Sequence, residues 1–167
     1  MMRYLILLAA LALGACSQAP VKAPANDVAS LGSITDLHSG ATLTPEQLLT
    51  RLARQPRVIL GEKHDNPYHH QIEQWLVQQL PLRRPQGSVL MEMINPSQQA
   101  QVDKVKQWLQ SDPTVRDGRV AELIAWQPGW KWELYGGVTM AAMRAPYPLC
   151  RPTWIAARLR RSISSRS

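Results

Sequence analysis

Acidic and histidine side chains are concentrated in residues 62–70, where three of the four histidines of the chain lie. The apolar run at residues 58–60 precedes them and ends at Gly61, which predicts a buried strand running into a tight turn. In an open α/β sheet, ligands bind at the carboxyl ends of the strands. Glu62 and His64, two residues apart at such an end, therefore predict a ligand or catalytic site.

The same stretch also has a structural interpretation. Asn66 is a favoured N-cap residue, and Pro67 suits the first position of a helix. On that helix His69 and His70 would point about 100° apart, so at most one of them faces a site shared with His64. Both interpretations are open on the residues alone.

A second apolar run, residues 88–93, predicts another buried strand, and Glu92 lies near its end. A carboxylate within a buried strand is costly unless it is paired or contacts a ligand or metal ion. Glu92 is therefore a candidate site residue. An ion pair with Arg83 or Arg84 is the structural alternative.

The first sixteen residues have the pattern of a lipoprotein leader. The apolar run at residues 4–13 follows a basic residue and is too short to span a membrane as a permanent helix. Leu-Gly-Ala-Cys then resembles a lipobox, so we expect residues 1–15 to be removed and Cys16 to be acylated, for example with palmitate. Several acyl chains hold a protein on a membrane at about 0.8 kcal/mol per buried methylene. Ser17 favours the outer membrane of a bacterial envelope; a plain secretory cleavage site is the alternative.

Three segments follow the leader. Residues 16–31 predict a flexible tether, residues 32–149 a folded domain, and residues 150–167 a basic tail without core periodicity. The tail fits either a basic segment at a membrane surface or a reading-frame change after about residue 149. Once Cys16 is acylated, Cys150 has no partner, so no disulfide is expected.

The formal net charge of +7 comes from the two ends of the chain. Arg3 and the five arginines after residue 150 are six of the nineteen basic residues, which leaves thirteen against twelve acidic ones. The domain between the ends is close to neutral. We therefore expect no nucleic-acid partner.

Apolar strands alternate with amphipathic helices along the domain. The pattern predicts a hairpin over residues 32–42 with His38 exposed at its turn, and a helix capped by Thr44. Further helices are predicted at residues 67–80, from residue 95 or 97 to 109, at residues 120–125 as a helix or turn, and at residues 134–143. This alternation predicts an α/β fold with a parallel sheet, of which only two core strands are evident.

Four segments together resemble the ChaN-like haem-binding uptake lipoproteins, from about residue 32 to residue 149. The most specific is G-E-K-H-D-N-P-Y-H-H; the others are I-T-D-L-H-S-G-A-T-L-T-P-E-Q-L-L, V-L-M-E-M, and the W-x-x-x-W-x-W-x-x-Y pattern at 126–135. The resemblance implies an EreA/ChaN-like domain with a three-layer, mainly parallel sheet flanked by helices. Because the family domain is longer, it also implies that the C-terminal part is missing here.

The resemblance implies a lipid-anchored protein that binds haem (iron protoporphyrin IX) for iron uptake. Such proteins are expected to bind haem at a homodimer interface, to work with an outer-membrane haem receptor, and to ligate iron through a tyrosine with a histidine nearby. Tyr135 matches that tyrosine, and Tyr68 is a local alternative. The expected haem-binding residues are Tyr135, His64, Glu62, His70, Tyr68 and Glu92.

Phenolate is a hard anionic ligand that suits ferric iron. Trp126, Trp130, Met140 and Met143 would either cover the porphyrin or, more commonly at such spacings, form core. Basic side chains that would pair with the haem propionates are Arg83, Arg84 and Lys131. No Cys-x-x-Cys-His is present in the sequence, which excludes covalent attachment through that motif.

Two other function classes compete with a haem carrier, which is not expected to be an enzyme. A metal-dependent hydrolase would use Glu62, His64 and Glu92 as metal ligands or as acid and base, since the Gly-Glu-x-His pattern is similar to that of metal-dependent proteases and esterases. A non-catalytic partner of an outer-membrane receptor would use the lipid anchor equally well.

Overall fold

The computed structural model describes residues 28–112 and 114–150. The predicted signal peptide, Cys16 and the arginines of the tail lie outside these residues. Val28–Leu31, at the end of the predicted tether, forms a turn of 3-10 helix. No helix within the described part is long and apolar enough to cross a membrane.

The described residues form five α-helices, four two-residue strands and three 3-10 turns. The α-helices are α1 Pro45–Ala53, α2 Pro67–Gln79, α3 Gln99–Ser111, α4 Asp117–Leu123 and α5 Trp132–Arg144. The strands are β1 Ile34–Thr35, β2 Thr42–Leu43, β3 Val89–Leu90 and β4 Leu149–Cys150. The other 3-10 turns are Leu80–Leu82 and Pro96–Gln98.

The strands pair in two separate sheets. The strands β1 and β2 are antiparallel, with Ile34 opposite Leu43, and confirm the predicted hairpin. The strands β3 and β4 are parallel, with Val89 opposite Leu149. Each sheet has two strands among the described residues, so the fold is mixed helix and strand, and a three-layer parallel sheet is not formed there.

The prediction of a buried strand at residues 58–60 is wrong for this structure. Val58 is partly buried against the cluster of Leu49, Leu76 and Leu80, but Ile59 is 92% exposed and Leu60 is 43% exposed. No backbone hydrogen bond joins residues 58–61 to another described residue. An apolar run forms a strand only beside a partner strand, and this one has none within the described part of the chain.

The second predicted strand, residues 88–93, is much shorter than expected. Pairing ends at Leu90 because the chain turns, and the amide of Ile94 donates to the carbonyl of Met91 at 3.2 Å. Glu92 lies in this turn and is exposed. The structural alternative for Glu92 is also wrong: Arg83 pairs with Glu46, and Arg84 donates to a backbone carbonyl.

The first two helices begin where their capping residues predict. In α1 the amide of Gln47 donates to Thr44 Oγ1 at 3.2 Å, and the amide of Thr44 donates to Gln47 Oε1 at 2.8 Å. In α2 the amide of Tyr68 donates to Asn66 Oδ1 at 3.0 Å, with proline in the first turn. These bonds satisfy amides that the first helical turn leaves free.

The main core lies between α3, α4, α5 and the β3–β4 pair, and α2 packs along α5. Its most deeply buried side chains include Val102, Val120, Ile124, Ala142, Met143 and Leu149. Met140 and Met143 belong to this core, which confirms the structural interpretation of these two residues. Burial of such side chains is the dominant favourable contribution to folding.

Gln98 joins the start of α3 to the end of α4. Its Oε1 accepts a hydrogen bond from the amide of Asn95 at 2.8 Å, and its Nε2 donates to the carbonyls of Ile124 and Ala125 at 2.9 and 2.7 Å. Ala125 has a φ of 50°, a left-handed conformation that usually favours glycine after a helix. The buried Gln98 amide thus satisfies two carbonyls that the end of α4 leaves free.

Lys106 holds α3 against the end of α5. Its Nζ donates to the carbonyls of Ala142 and Met143 at 2.8 and 3.0 Å, and also to that of Ala145. A cation at this end of α5 suits the negative pole of the helix. Burial lowers the pKa of Lys106 to about 8, although the charge of Asp103 acts in the opposite direction.

Candidate functional site

Three parts of the chain bring polar and aromatic side chains to one place. The loop before α2 carries Glu62 and His64, the first turn of α2 carries His70, and the first turn of α5 carries Tyr135. Because α2 packs along α5, residues more than sixty positions apart in the sequence come into contact. Four of the six expected haem-binding residues therefore lie together.

Tyr135 and Glu62 form the centre of this cluster. The Tyr135 hydroxyl donates to Glu62 Oε1 at 2.8 Å and lies 3.1 Å from His64 Nδ1. His64 Nδ1 also hydrogen-bonds to Glu62 Oε1. Tyr135 is 2% exposed, whereas the His64 side chain is 60% exposed. The carboxylate therefore links a buried phenol to an exposed imidazole.

His70 lies behind this centre and is buried. Its Nε2 lies 3.2 Å from the carbonyl oxygen of His64, and its Nδ1 lies 3.4 Å from Glu73 Oε2. The His70 and Tyr135 rings are 4.3 Å apart between centroids, at 58°. His70 is thus enclosed by the site rather than presented to an incoming ligand.

Three pKa values of the cluster depart from their ordinary values. Burial opposes ionisation of Glu62, but the hydrogen bonds from His64 and Tyr135 outweigh it, so its pKa is lowered. The hydrogen bond to Glu62 raises the pKa of His64. Burial, together with donation to Glu62, strongly raises the pKa of Tyr135. The resting arrangement is a protonated phenol against a carboxylate.

Tryptophans surround the cluster on the side of the loop before α5. The Trp130 ring is 5.0 Å from that of His64 and 5.4 Å from that of Tyr135, in edge-to-face arrangements. Trp126 Nε1 donates to the carbonyl of Trp130 at 2.6 Å, and its ring is 5.0 Å from that of Trp132. These partly buried rings also pack against the main core, which is the structural role predicted for Trp126 and Trp130.

The other two expected haem-binding residues lie apart from the hydrogen-bonded centre. Tyr68 is 54% exposed in the first turn of α2. Glu92 makes no hydrogen bond or ion pair to a described residue, but its negative charge helps to raise the pKa values of His64 and Tyr135. Neither touches the Tyr135 hydroxyl.

The neighbouring charged side chains serve local structure. His69 Nδ1 accepts a hydrogen bond from the amide of Lys63 at 2.9 Å, and Asp65 pairs with Lys63 Nζ at 3.5 Å. Arg83 and Arg84 are engaged away from the cluster, whereas Lys131 is exposed just before α5. Of the three predicted propionate partners, Lys131 is therefore the one whose side chain makes neither an ion pair nor a hydrogen bond to a described residue.

Sequence reasoning missed Glu73, which hydrogen-bonds to His70 from one turn further along α2. The sequence does predict this contact, because residues three positions apart on a helix, such as His70 and Glu73, lie on the same face. Within the described ranges, no group of three or more His, Cys, Asp or Glu side chains has the arrangement to hold a metal ion.

Comparisons with known proteins give two matches. A model of the family described as "Haem-binding uptake, Tiki superfamily, ChaN" matches residues 48–165 of this chain. The solved structure titled "Cofacial heme binding to ChaN of Campylobacter jejuni" has a TM-score of 0.61 and 20% identity, and the match covers 71% of this chain. This chain spans 47% of that one, so it corresponds to about half of its length. No curated protein matches significantly.

Proposed function

The chain belongs to the ChaN family of haem-binding uptake proteins, and on that premise we propose that it binds haem for iron uptake. We propose Tyr135 as the axial ligand of the iron, with His64 beside it. The observation that supports this assignment most directly is the Tyr135 hydroxyl held at 2.8 Å from the Glu62 carboxylate.

The donor set fits ferric haem. A phenol ligates iron after losing its proton, and Glu62 Oε1 is already positioned to accept that proton. When bound, haem supplies the iron that Tyr135 coordinates. Because Tyr135 is 2% exposed and its hydroxyl lies against Glu62 and His64, a covering side chain has to move before a ligand can reach the phenol oxygen.

The loop before α2 and the first turn of α2 expose apolar side chains that an apolar ligand could contact. Ile59, Leu60 and Tyr68 are exposed large apolar side chains within a few residues of Glu62 or His64. Exposed apolar side chains that are grouped commonly mark binding surfaces. The edges of Trp130 and His64 offer aromatic contacts beside them.

The remaining parts of the proposal concern the cellular setting. We propose acylation at Cys16, attachment to the outer membrane, a homodimer with haem at its interface, and transfer of haem to or from an outer-membrane receptor. The lipobox pattern supports the anchor, and the resemblance of the sequence segments to the family supports the dimer. We also propose that the complete family domain contains the three-layer, mainly parallel sheet, to which the parallel β3–β4 pair would belong.

The test is a haemin titration of the chain followed at the Soret band. We expect saturable binding with a tyrosinate charge-transfer band, loss of that band in Tyr135→Phe, and weaker binding in His64→Ala. Tyr147→Phe removes a phenol hydroxyl bonded to the carbonyl of Val77, outside the cluster, and should bind like the wild type. Loss of the band in Tyr68→Phe instead would move the ligand assignment to Tyr68.

The same samples distinguish the other function classes. A hydrolase would contain stoichiometric metal and would lose its hydrolytic activity in His64→Ala. A folded wild-type protein without a saturable Soret shift would refute haem binding by this chain. A pull-down that recovers no outer-membrane receptor would contradict the receptor proposal.

A further inference from the structure

Behind the Tyr135 hydroxyl, the cluster continues as a row of three polar side chains, of which only Glu73 is new. The side chains of Glu62, His70 and Glu73 are 8%, 3% and 16% exposed. His70 lies between the two carboxyl groups: its Nε2 is 3.8 Å from Glu62 Oε2, and its Nδ1 is 3.4 Å from Glu73 Oε2. Glu62 Oε2 is buried and accepts no hydrogen bond from another described residue.

Glu73 holds one of the two ring nitrogens of His70. A carbonyl oxygen only accepts, so Nε2 of His70 must carry a hydrogen to bond to the carbonyl of His64 at 3.2 Å. Glu73 Oε2 lies 3.4 Å from the other ring nitrogen, Nδ1, and holds the ring orientation through a proton shared between these two atoms. Without Glu73 nothing among the described residues bonds to Nδ1, and the ring loses one of its two anchors.

The ring orientation matters because His70 contacts the site on two sides. One face packs on Tyr135, with centroids 4.3 Å apart, and Nε2 holds the backbone of His64. A rotated imidazole would therefore shift both the phenol and the loop that carries Glu62 and His64. Partners of this kind behind a ligating side chain are typically needed to fix its geometry.

We propose that Glu73 is a positioning residue for Tyr135 and Glu62, acting through His70. One part of this inference rests on the proposed haem function: if the protein binds haem, Glu73 controls the affinity for haemin. The other part does not depend on a ligand: Glu73 also determines the placement of the Tyr135 ring in the ligand-free protein. The two parts can therefore be measured separately.

The experiment compares three variants of the full chain. Glu73→Ala removes the anchor, and Glu73→Gln keeps a side chain that can donate to Nδ1 and should rescue it. Glu133→Ala is the matched control, because Glu133 is exposed on α5 and makes no hydrogen bond or ion pair to a described residue. The readouts are the haemin dissociation constant and the side-chain carbon resonance of Tyr135 in the ligand-free protein.

We expect Glu73→Ala to weaken haemin binding about 10-fold and to shift the Tyr135 resonance, while Glu73→Gln and Glu133→Ala match the wild type. If Glu73→Ala behaves like Glu133→Ala in both readouts, the inference is overturned. If the wild type binds no haemin but the resonance still moves only in Glu73→Ala, the positioning role stands and the haem function fails. Should Glu73→Ala not fold, Glu73→Asp takes its place, because its shorter side chain keeps the charge but holds it further from Nδ1, with the same two results deciding.

Discussion

Burial and hydrogen bonding have opposite effects on the pKa of Glu62. Burial favours its neutral form, whereas two donors on one oxygen favour the carboxylate, and the donors prevail. The hydrogen bond to Glu62 also raises the pKa of His64, and it adds to the effect of burial in raising the pKa of Tyr135. The three groups therefore titrate as a connected set, and changing one of them alters the others.

The His64 imidazole gives a direct test of this coupling. We expect NMR titration to find its pKa above the ordinary 6.5, and Glu62→Gln to lower it because the main stabilising partner is lost. The raised pKa means that the contribution of His64 to stability is complete below the unfolded value and is lost as the pH rises through the folded value.

A control for this titration is Asp65→Asn. Asp65 acts on His64 only through its charge, after the larger effects of Glu62 and Glu92. The drop in the His64 pKa should therefore be smaller than in Glu62→Gln. Equal drops in the two variants would contradict the hydrogen-bonded pair.

At the scale of single elements, helix ends are what the sequence predicts best. The N-caps of α1 and α2 follow from Thr44, Asn66 and the prolines after them, because capping depends on neighbours within four positions. Residues 58–60 show the limit of such reasoning. Their composition favours a strand, but a strand also requires a partner that no local pattern reveals.

The Lys106 cap should contribute to stability. Lys106→Met leaves the carbonyls at the end of α5 without their donor, and we expect it to lower the free energy of unfolding by about 1–3 kcal/mol. Lys104→Met is the matched control, since Lys104 is exposed on the same helix. Urea unfolding of both variants measures the difference, and equal losses would contradict the cap.

The effect of Lys106 should also depend on pH. Its folded pKa of about 8 is below the ordinary 10.5, so the unfolded chain binds more protons between these values. The contribution of Lys106 to stability therefore rises with pH in that window. We expect the stability difference between the wild type and Lys106→Met to widen from pH 8 to pH 10; a constant difference would show that the amine titrates normally.

Ala125 offers a stabilising substitution. Its φ of 50° is unfavourable for a residue with a Cβ, and a glycine there meets no such cost. We expect Ala125→Gly to raise the free energy of unfolding by about 1 kcal/mol, as measured by thermal or urea unfolding. Ala121→Gly, within α4, should instead lower it, because glycine weakens a helix interior.

At the scale of the whole molecule, the site depends on contacts that cross the chain. Glu62 and Tyr135 are 73 positions apart, and only the packing of α2 along α5 brings them together. The clustering of acidic and histidine residues predicted a site at Glu62 and His64. Tyr135 was assigned to that site only by the resemblance to a family. Local patterns carry no information about which helix faces which, so the packing of His70 on Tyr135 could not be read from spacing alone, although the spacing of His70 and Glu73 on α2 could.

The segment at residues 58–61 should be the most open part of the backbone near the site. Without backbone partners in the described chain, its amides should exchange with deuterium far faster than those of Val89 and Met91, which donate to the carbonyls of Pro148 and Cys150. Mass spectrometry of exchanged peptides measures this contrast. Protection of residues 58–61 equal to that of β3 would mean that the segment has found a strand partner.

The hydrogen bonds of Gln98 restrict which residues can replace it. Its amide accepts from one backbone group and donates to two others in a buried position, so every polar atom is in use. Glutamate has the same shape but offers no hydrogen to the carbonyls of Ile124 and Ala125, and methionine offers neither function. In a saturation screen for folded protein, almost no substitution of Gln98 should therefore be tolerated. At most helix positions, by contrast, a glutamine can be replaced by many residues.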